Sequence, residues 1–258
     1  MDLGLTSARV IVTAGAAGIG LAIARAFVRE GARVEVCDVD PNALAELATS
    51  DAAIGAARCD VATRSDVAEF FGGALQRLGG LDCLVNNAGV AGPTGRVEEI
   101  DPGDWDRCIA VDLTGQFNCI RHAVPELRKS SNASIMNVSS LAGRLGFPLR
   151  TPYAAAKWGV IGLTRSLAAE LGPDKIRVNA LLPGIVAGDR QRRVLQAKAQ
   201  ARKLSYEAIE SLAFSYTSIK EYVSAEELAD LIVFVASPRG KRISGQALSV
   251  CGDTNMLA

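Results

Sequence analysis

This 258-residue sequence lacks any charge imbalance and any long apolar run. Its 28 basic and 28 acidic side chains balance, which argues against a nucleic-acid partner. No apolar stretch is long enough to cross a bilayer without meeting a charge or a turn. Residues 1–9 have no basic segment leading into an apolar one, as a secretory signal has. We therefore expect a cytoplasmic protein with no membrane and no nucleic-acid partner.

Metal ligands are also scarce. The sequence has one histidine, His122, and six cysteines, none of them in a CxxC pair. Structural zinc sites need about four ligands at short paired spacings, so we expect no metal site. In a reducing compartment such cysteines are typically small, buried apolar residues.

What the sequence does have is a repeated alternation of β-branched runs with amphipathic stretches. The runs predict strands over 9–13, 33–38, 81–86, 134–138, 176–182 and 248–251. The stretches predict helices over 20–30, 105–124 and 151–171, and Pro41 opens another. Strands that alternate with helices indicate an α/β fold with a doubly wound parallel sheet. No linker interrupts the pattern, so residues 1–258 are interpreted as a single domain.

One segment departs from this alternation. Residues 187–222 are polar, with helical spacing and no strand. Long excursions from α/β domains are often lids or binding loops, and the alternative is a solvated helical pair or a subunit contact. The fold prediction therefore includes a helical lid insertion near 187–222. Ser224 and Glu227 then have the spacing of a capping box at the start of a helix.

The first strand leads directly into a glycine-rich turn, and a helix follows. A turn of small residues lets the backbone approach a pyrophosphate at the N-terminus of the helix. The residues of this turn proposed to bind the cofactor are Gly15, Ala17, Gly18, Ile19 and Gly20. Asp38, at the end of the second strand, is placed to accept the ribose hydroxyls of NAD and to repel the extra phosphate of NADP. Asp40 is the alternative for this role, or else a turn residue ahead of Pro41.

A second group of residues points to acid–base chemistry. Tyr153 and Lys157 lie at positions i and i+4 of a predicted helix, on one face. A nearby cation favours the phenolate form that proton transfer requires. Ser140 follows a strand at the sheet edge where ligands bind in open parallel sheets, and a serine there can donate to a carbonyl oxygen.

Together these motifs resemble the short-chain dehydrogenase/reductase family over nearly the whole chain. Their order and spacing are those of the family: the glycine loop, Asp38, Asp60-Val61, Asn86-Asn87-Ala88-Gly89, Ser140, Tyr153/Lys157 and Pro183-Gly184. The resemblance implies a Rossmann-like domain with a seven-stranded parallel sheet, usually assembled as a homotetramer.

The same resemblance implies roles. Tyr153 is similar to the family's proton donor or acceptor, Lys157 to its partner on the nicotinamide ribose, and Ser140, rather than Ser139, to the substrate-orienting serine. Further residues match positions that line the cofactor site: Asp60, Val61, Asn87, Ala88, Gly89, Pro183, Gly184 and Val186.

Three positions depart from the family pattern. Ala14 replaces the first loop glycine, and we expect Gly15 beside it to take the turn. Asp112 stands where the family usually has its fourth catalytic residue, an asparagine; we interpret it as a tolerated variant that alters the proton relay. Gly188 replaces a frequent threonine, so the following residues should pack differently around the cofactor.

The resulting prediction is an enzyme that transfers a hydride between NAD(H) and a secondary alcohol or ketone. Ser140, Tyr153 and the arginines Arg144, Arg150 and Arg190 are the candidate substrate residues. Arginines at one cleft bind carboxylates, sulfonates or phosphates, which favours a small polar substrate, anionic or sugar-like; the alternative is that they are surface or subunit-contact residues. Two other functions remain open: a 3-oxoacyl-thioester reductase, and a redox sensor that binds NAD without turnover.

Overall fold

The fold, described for residues 1–257 by a computed structural model, is built on one seven-stranded sheet. The strand order is β3-β2-β1-β4-β5-β6-β7, and every neighbouring pair is parallel. The strands are β1 (Arg9–Thr13), β2 (Arg33–Asp38), β3 (Ile54–Arg58), β4 (Cys83–Asn86), β5 (Ser134–Val138), β6 (Arg177–Pro183) and β7 (Ala247–Val250). The predicted doubly wound parallel sheet is confirmed.

Nine α-helices are found within residues 1–257. They are α1 (Gly18–Arg29), α2 (Pro41–Ser50), α3 (Arg64–Leu78), α4 (Pro102–Ile109), α5 (Gly115–Leu127), α6 (Thr151–Leu171), α7 (Asp189–Arg202), α8 (Tyr206–Ser215) and α9 (Ala225–Ala236). Ser224 and Glu227 form the predicted capping box at the start of α9.

Alternating side chains of the buried strands face two separate apolar layers. Val10 and Val12 of β1 pack with α1 and α9 on one face, and Ile11 packs with α3 and α5 on the other. Every position of β4, β5 and β6 is buried, as in a sheet covered on both faces, and most of their side chains are apolar. This burial agrees with the short β-branched and apolar runs from which these strands were predicted.

Two parts of the fold differ from the sequence prediction. Strand β3 was not predicted, because its sequence, IGAAR, has a single β-branched residue and an exposed face. At Gly55 an added Cβ would overlap the buried carboxylate of Glu35 on β2, so a larger residue would require that side chain to move. The predicted helix over 105–124 is longer, running from α4 into α5 through a π-helical turn over Ala110–Thr114.

The polar excursion forms the helix pair α7–α8, as its spacing predicts. The pair has a small apolar core of its own, formed by Leu195, Ala199 and Ile209. Its base is closed by backbone hydrogen bonds that join Val223 to Ile185 and Ala187. The insertion is therefore a distinct packed unit beside the carboxyl end of β6.

The cysteines of the described chain are all free thiols. Cys37, Cys59, Cys83, Cys108 and Cys119 are buried, and Cys251 is half-buried. Burial raises the pKa of the Cys83 thiol to about 12 and that of Cys108 to about 11. Within residues 1–257, no helix is long and apolar enough to cross a membrane.

Candidate active site

The site lies where the strand order reverses, between the carboxyl ends of β1 and β4. The glycine loop follows β1, and its backbone reverses at Ala14, which has a left-handed φ of 49°. The expectation that Gly15 would take this turn was therefore wrong. Gly15 is needed for another reason, because a Cβ at that position would lie 2.6 Å from the side chain of Val36.

The end of the loop leaves a space suited to a phosphate group. Ala17 is the N-cap of α1 and its side chain makes no capping hydrogen bond, so the first N–H groups of the helix are left for a ligand. Gly18 adopts a left-handed φ of 53°, and a Cβ there would meet nothing within 4 Å. Gly20 lies against the carbonyl of Ala14, where a Cβ would overlap. The loop thus has the shape and the donors that a dinucleotide pyrophosphate requires.

The two candidate ribose carboxylates have different surroundings. Asp38 accepts hydrogen bonds from the backbone N–H of Ala16 at 3.3 Å and of Asp40 at 3.1 Å, which holds it beside the glycine loop. Asp40 instead caps α2, accepting from the N–H groups of Asn42 and Ala43. The geometry therefore favours Asp38 for the ribose and gives Asp40 the turn role ahead of Pro41.

Thr13 joins the two loops of the cleft, a role that the sequence analysis missed. Its buried Oγ1 accepts from the backbone N–H groups of Asn87 and Ala88, each at 3.0 Å. The side-chain amide of Asn87 donates in turn to the carbonyls of Thr13 and Ala14. Asn87 thus fixes the loop after β4 against the glycine loop. A threonine at the last position of a strand is the only sequence signal for this arrangement.

The other residues expected to bind the cofactor are fixed by local contacts. Asp60 is oriented by Arg107 at 3.0 Å and by the N–H of Ala62, while the buried Val61 packs on Gly115. Pro183 ends β6, Gly184 lies so close to Cys251 that a Cβ would clash, and Val186 forms an isolated bridge with Val223.

The structure distinguishes the two serines after β5. The hydroxyl of Ser139 is buried and donates to the carbonyl of Lys157 at 2.9 Å, so it ties β5 to α6. Ser140 is half-buried, and its Oγ accepts from the N–H of Ala142 at 3.1 Å, which leaves its hydroxyl proton available. This placement agrees with the choice of Ser140 as the substrate-orienting serine.

Lys157 and Asp112 form a buried ion pair. The ammonium donates to the carbonyl of Val138 at 3.1 Å and lies 3.4 Å from one carboxylate oxygen of Asp112. The other oxygen accepts from the N–H of Val90 at 2.6 Å. Both side chains are almost completely buried, at 3% and 0% exposure. Asp112 thus takes part directly in holding the lysine.

The π-helical turn explains how Asp112 reaches this position. Such turns insert one extra residue into a helix and often occur at functional sites. Asp112 lies at the middle of the turn over Ala110–Thr114. Across from it, Gly89 leaves room above the ion pair, since a Cβ would lie 3.3 Å from the Lys157 nitrogen and 3.4 Å from the Asp112 carboxylate.

Tyr153 is half-buried and surrounded by an aromatic ring and two cations. Its ring packs against Phe147 at 6.4 Å between centroids, and the Lys157 nitrogen lies 5.5 Å from the ring centroid. The Arg150 guanidinium lies 5.3 Å from the same centroid. Arg150 is 2% exposed, and burial lowers its pKa. The predicted acid–base tyrosine is thus bounded by positive charge on two sides.

The remaining candidate arginines are on the surface. Arg144 is exposed and its nearest hydrogen-bond partner is the Ser249 hydroxyl at 3.4 Å, while Arg190 at the start of α7 donates to the carbonyl of Gly89 at 3.1 Å. Lys198, which the sequence analysis missed, lies 3.9 Å from the centroid of Phe147. Its spacing from Leu195 and Ala199, on the buried face of α7, is the signal that could have identified it.

Comparisons with known proteins identify similar chains and a similar fold. Residues 8–199 match the short chain dehydrogenase family. The chain is 34% identical to 2-(S)-hydroxypropyl-CoM dehydrogenase 3 of Xanthobacter autotrophicus (94% of each chain covered) and 36% identical to trans-4-hydroxycyclohexanecarboxylate dehydrogenase of Sinomonas cyclohexanicum (94% and 90%). It is 30% identical to D-beta-hydroxybutyrate dehydrogenase of Rhizobium meliloti (94% and 96%). Among solved structures, an actinorhodin polyketide ketoreductase with NADPH superposes with a TM-score of 0.89 at 30% identity, covering 95% of this chain and 96% of that one.

Proposed function

Because this chain belongs to the short-chain dehydrogenase family, whose members bind a nicotinamide cofactor, we propose that it is an NAD-dependent dehydrogenase of a small secondary alcohol. The observation that carries the proposal is the convergence of Ser140, Tyr153 and Lys157 at the cleft that begins with the glycine loop. The bound dinucleotide would supply the hydride acceptor. The side chains of this protein bind and orient the alcohol and move its proton.

In the direction of oxidation, the alcohol hydroxyl lies between Ser140 and Tyr153. Tyr153 takes the proton of the hydroxyl, while the hydroxyl of Ser140 donates to the oxygen as it becomes a carbonyl. Lys157, held by Val138 and Asp112, keeps a positive charge beside the phenol. Reduction runs through the same groups in reverse.

Asp38 supports NAD rather than NADP as the cofactor. A carboxylate at the end of β2 accepts hydrogen bonds from ribose hydroxyls and repels a phosphate in the same place. The nearest cation in register is Arg58 of β3, which pairs with Asp38 in the sheet and has an exposed side chain. Within residues 1–257 no hydrogen bond joins the two side chains, so Arg58 does not occupy the acceptor oxygens of Asp38.

The substrate class that we propose is a small hydroxy acid. The names of two relatives specify hydroxy carboxylates, hydroxycyclohexanecarboxylate and hydroxybutyrate. In this chain Arg150, beside Tyr153, supplies a positive charge that could bind such a carboxylate. A neutral polyol or sugar could not form an ion pair with that guanidinium.

The test is absorbance at 340 nm with NAD and NADP in parallel against hydroxy acids, polyols, sugars and 3-hydroxyacyl thioesters. We expect turnover of hydroxy acids with NAD, and a loss of turnover in Tyr153→Phe. Asp38→Ala should raise kcat/KM for NADP by about 100-fold relative to NAD, because it removes the repulsion between the Asp38 carboxylate and the additional phosphate of NADP.

Three results would contradict the proposal. Equal wild-type rates with NAD and NADP would remove the role of Asp38. Thioester reduction as the best reaction would favour the reductase alternative. Tight NAD binding without turnover of any compound in the panel would identify a sensor.

A further inference from the structure

Arg150 has more hydrogen-bonding capacity than the protein uses. It precedes α6, and its guanidinium lies 5.3 Å from the centroids of both Phe147 and Tyr153. One terminal nitrogen donates to the carbonyl of Ala91. Within residues 1–257, Nε and the other terminal nitrogen have no hydrogen-bond acceptor, although both are buried.

A buried cation in this state is costly to the fold. Buried charges are normally paired, and a buried donor without an acceptor loses its hydrogen bonds to water without gaining one in the protein. No carboxylate among the described residues lies within 4.0 Å of Arg150. The aromatic rings stabilise the guanidinium in part, but they accept none of its free N–H groups. The missing partner is therefore an acceptor that carries negative charge.

Other basic side chains near Arg150 also favour a negatively charged ligand. Lys198 of α7 lies against the other contact of Arg150, the ring of Phe147, at 3.9 Å. Burial, followed by the charges of Arg150 and Arg202, lowers the pKa of Lys198 to about 7. The charge of Arg190 also lowers the pKa of Arg150, after burial. Basic side chains from the loop before α6 and from the helix pair α7–α8 thus lie around Phe147 and Arg150.

We propose that Arg150 is the specificity-determining residue of this site and binds the carboxylate of the substrate. This rests on the proposed dehydrogenase function, since the carboxylate is placed relative to a hydroxyl held by Tyr153. A carboxylate supplies both the countercharge and the acceptor oxygens that the free N–H groups need. The 5.3 Å between the guanidinium and the Tyr153 ring limits the substrate to a short molecule, with the acid a few bonds from the alcohol.

The test compares acids with their uncharged isosteres. Wild-type enzyme with NAD is assayed on 3-hydroxybutyrate and 4-hydroxycyclohexanecarboxylate and on the corresponding primary amides. We expect kcat/KM for the better acid to exceed that of its amide by about 100-fold, as loss of a desolvated charge contact implies. Arg150→Met should abolish this preference, so that its kcat/KM values for the acid and for the amide become similar. Arg193→Met, an exposed arginine of α7, is the matched control and should keep the preference.

A binding measurement separates this proposal from the reaction itself. NADH-loaded enzyme is titrated with cyclohexanecarboxylate and cyclohexanecarboxamide. Acid binding that depends on Arg150, without oxidation of any alcohol, would retain the subsite and reject the dehydrogenase function. Oxidation of amides as fast as acids would retain the dehydrogenase function and reject the carboxylate subsite.

Two further outcomes bear on the subsite. If Arg150→Met fails to fold by circular dichroism, Arg150→Lys replaces it; this variant keeps the charge and should raise KM for the acid about tenfold at similar kcat. An unchanged acid-to-amide ratio in the folded Arg150 variant would show that its role is structural. If Arg193→Met lost the preference for the acid over the amide to the same extent, the preference would come from the summed positive charge of the region and not from a contact with Arg150.

Discussion

Replacing Asp112 with asparagine tests the buried ion pair most directly. The carboxylate oxygen lies 3.4 Å from the Lys157 nitrogen, with both side chains buried. At an effective dielectric constant of ~20, the Coulomb attraction over this distance is about 5 kcal/mol. Desolvation of the two charges offsets much of it, but removal of one partner leaves the other charge buried and unpaired, which typically costs 3–5 kcal/mol.

We expect Asp112→Asn to lower the free energy of unfolding by about 3 kcal/mol, at the low end of that range. The lysine keeps its bond to Val138, and the amide oxygen can still accept from the N–H of Val90. For a chain of this length, about 3 kcal/mol corresponds to a fall in Tm of roughly 6–12 °C. Urea unfolding and a thermal melt, both without cofactor, measure the two quantities. Since the lysine charge is retained, kcat should stay within about tenfold of wild type.

A double-mutant cycle with Lys157→Met supplies the control. The coupling free energy between the two positions should account for most of the loss in Asp112→Asn, because the charges act as a pair. An asparagine variant as stable as wild type, or a cycle without coupling, would refute the ion pair. A gain in kcat of several orders of magnitude would instead show that Asp112 restrains the proton relay.

Three more predictions concern stability. Ala14→Gly should stabilise the protein by about 1 kcal/mol in urea unfolding, because glycine adopts the left-handed φ of 49° without strain; a loss of stability would contradict this. Ser224→Ala should cost about 1 kcal/mol by removing the cap of α9, and Ser224→Thr should not. Lys198 has a pKa of about 7 when folded against an ordinary 10.5, so the unfolded chain binds more protons there between these values and stability should rise with pH in that window. Lys198→Met should flatten this rise, and an unchanged slope from pH 7 to 10 would show that another group causes it.

Much of the fold could be predicted because the central strands are recognisable from their own short segments of sequence. Their apolar runs reflect burial on both faces, and the helices between them have caps or breaks in the sequence. Strand β3 lacks this signal, because it has a single β-branched residue and one exposed face, and its Gly55 packs against the carboxylate of Glu35 on the neighbouring strand. A glycine that serves a contact with the neighbouring strand has a low strand propensity, so it does not indicate a strand in the sequence.

The candidate site divides in the same way. Asp38, Ser140, Tyr153 and Lys157 belong to motifs of fixed spacing, so their assembly follows from the order of the strands. The burial of Arg150 depends on how its loop packs against Phe147 and Tyr153, and the contact of Asp112 with Lys157 depends on an extra residue in a helix. Such features arise from tertiary packing, so the sequence suggested the residues and left their contacts open.

The buried thiols of this protein have a practical consequence for measuring its motions. Only a thiolate reacts readily with alkylating reagents, and burial keeps the thiols of Cys83 and Cys108 protonated as well as covered. Each can therefore be labelled only when its surroundings open. Cys83 lies in the centre of the sheet and Cys108 on α4 beside the site. Their labelling rates would compare global unfolding with local opening of the cleft, in the unmodified chain.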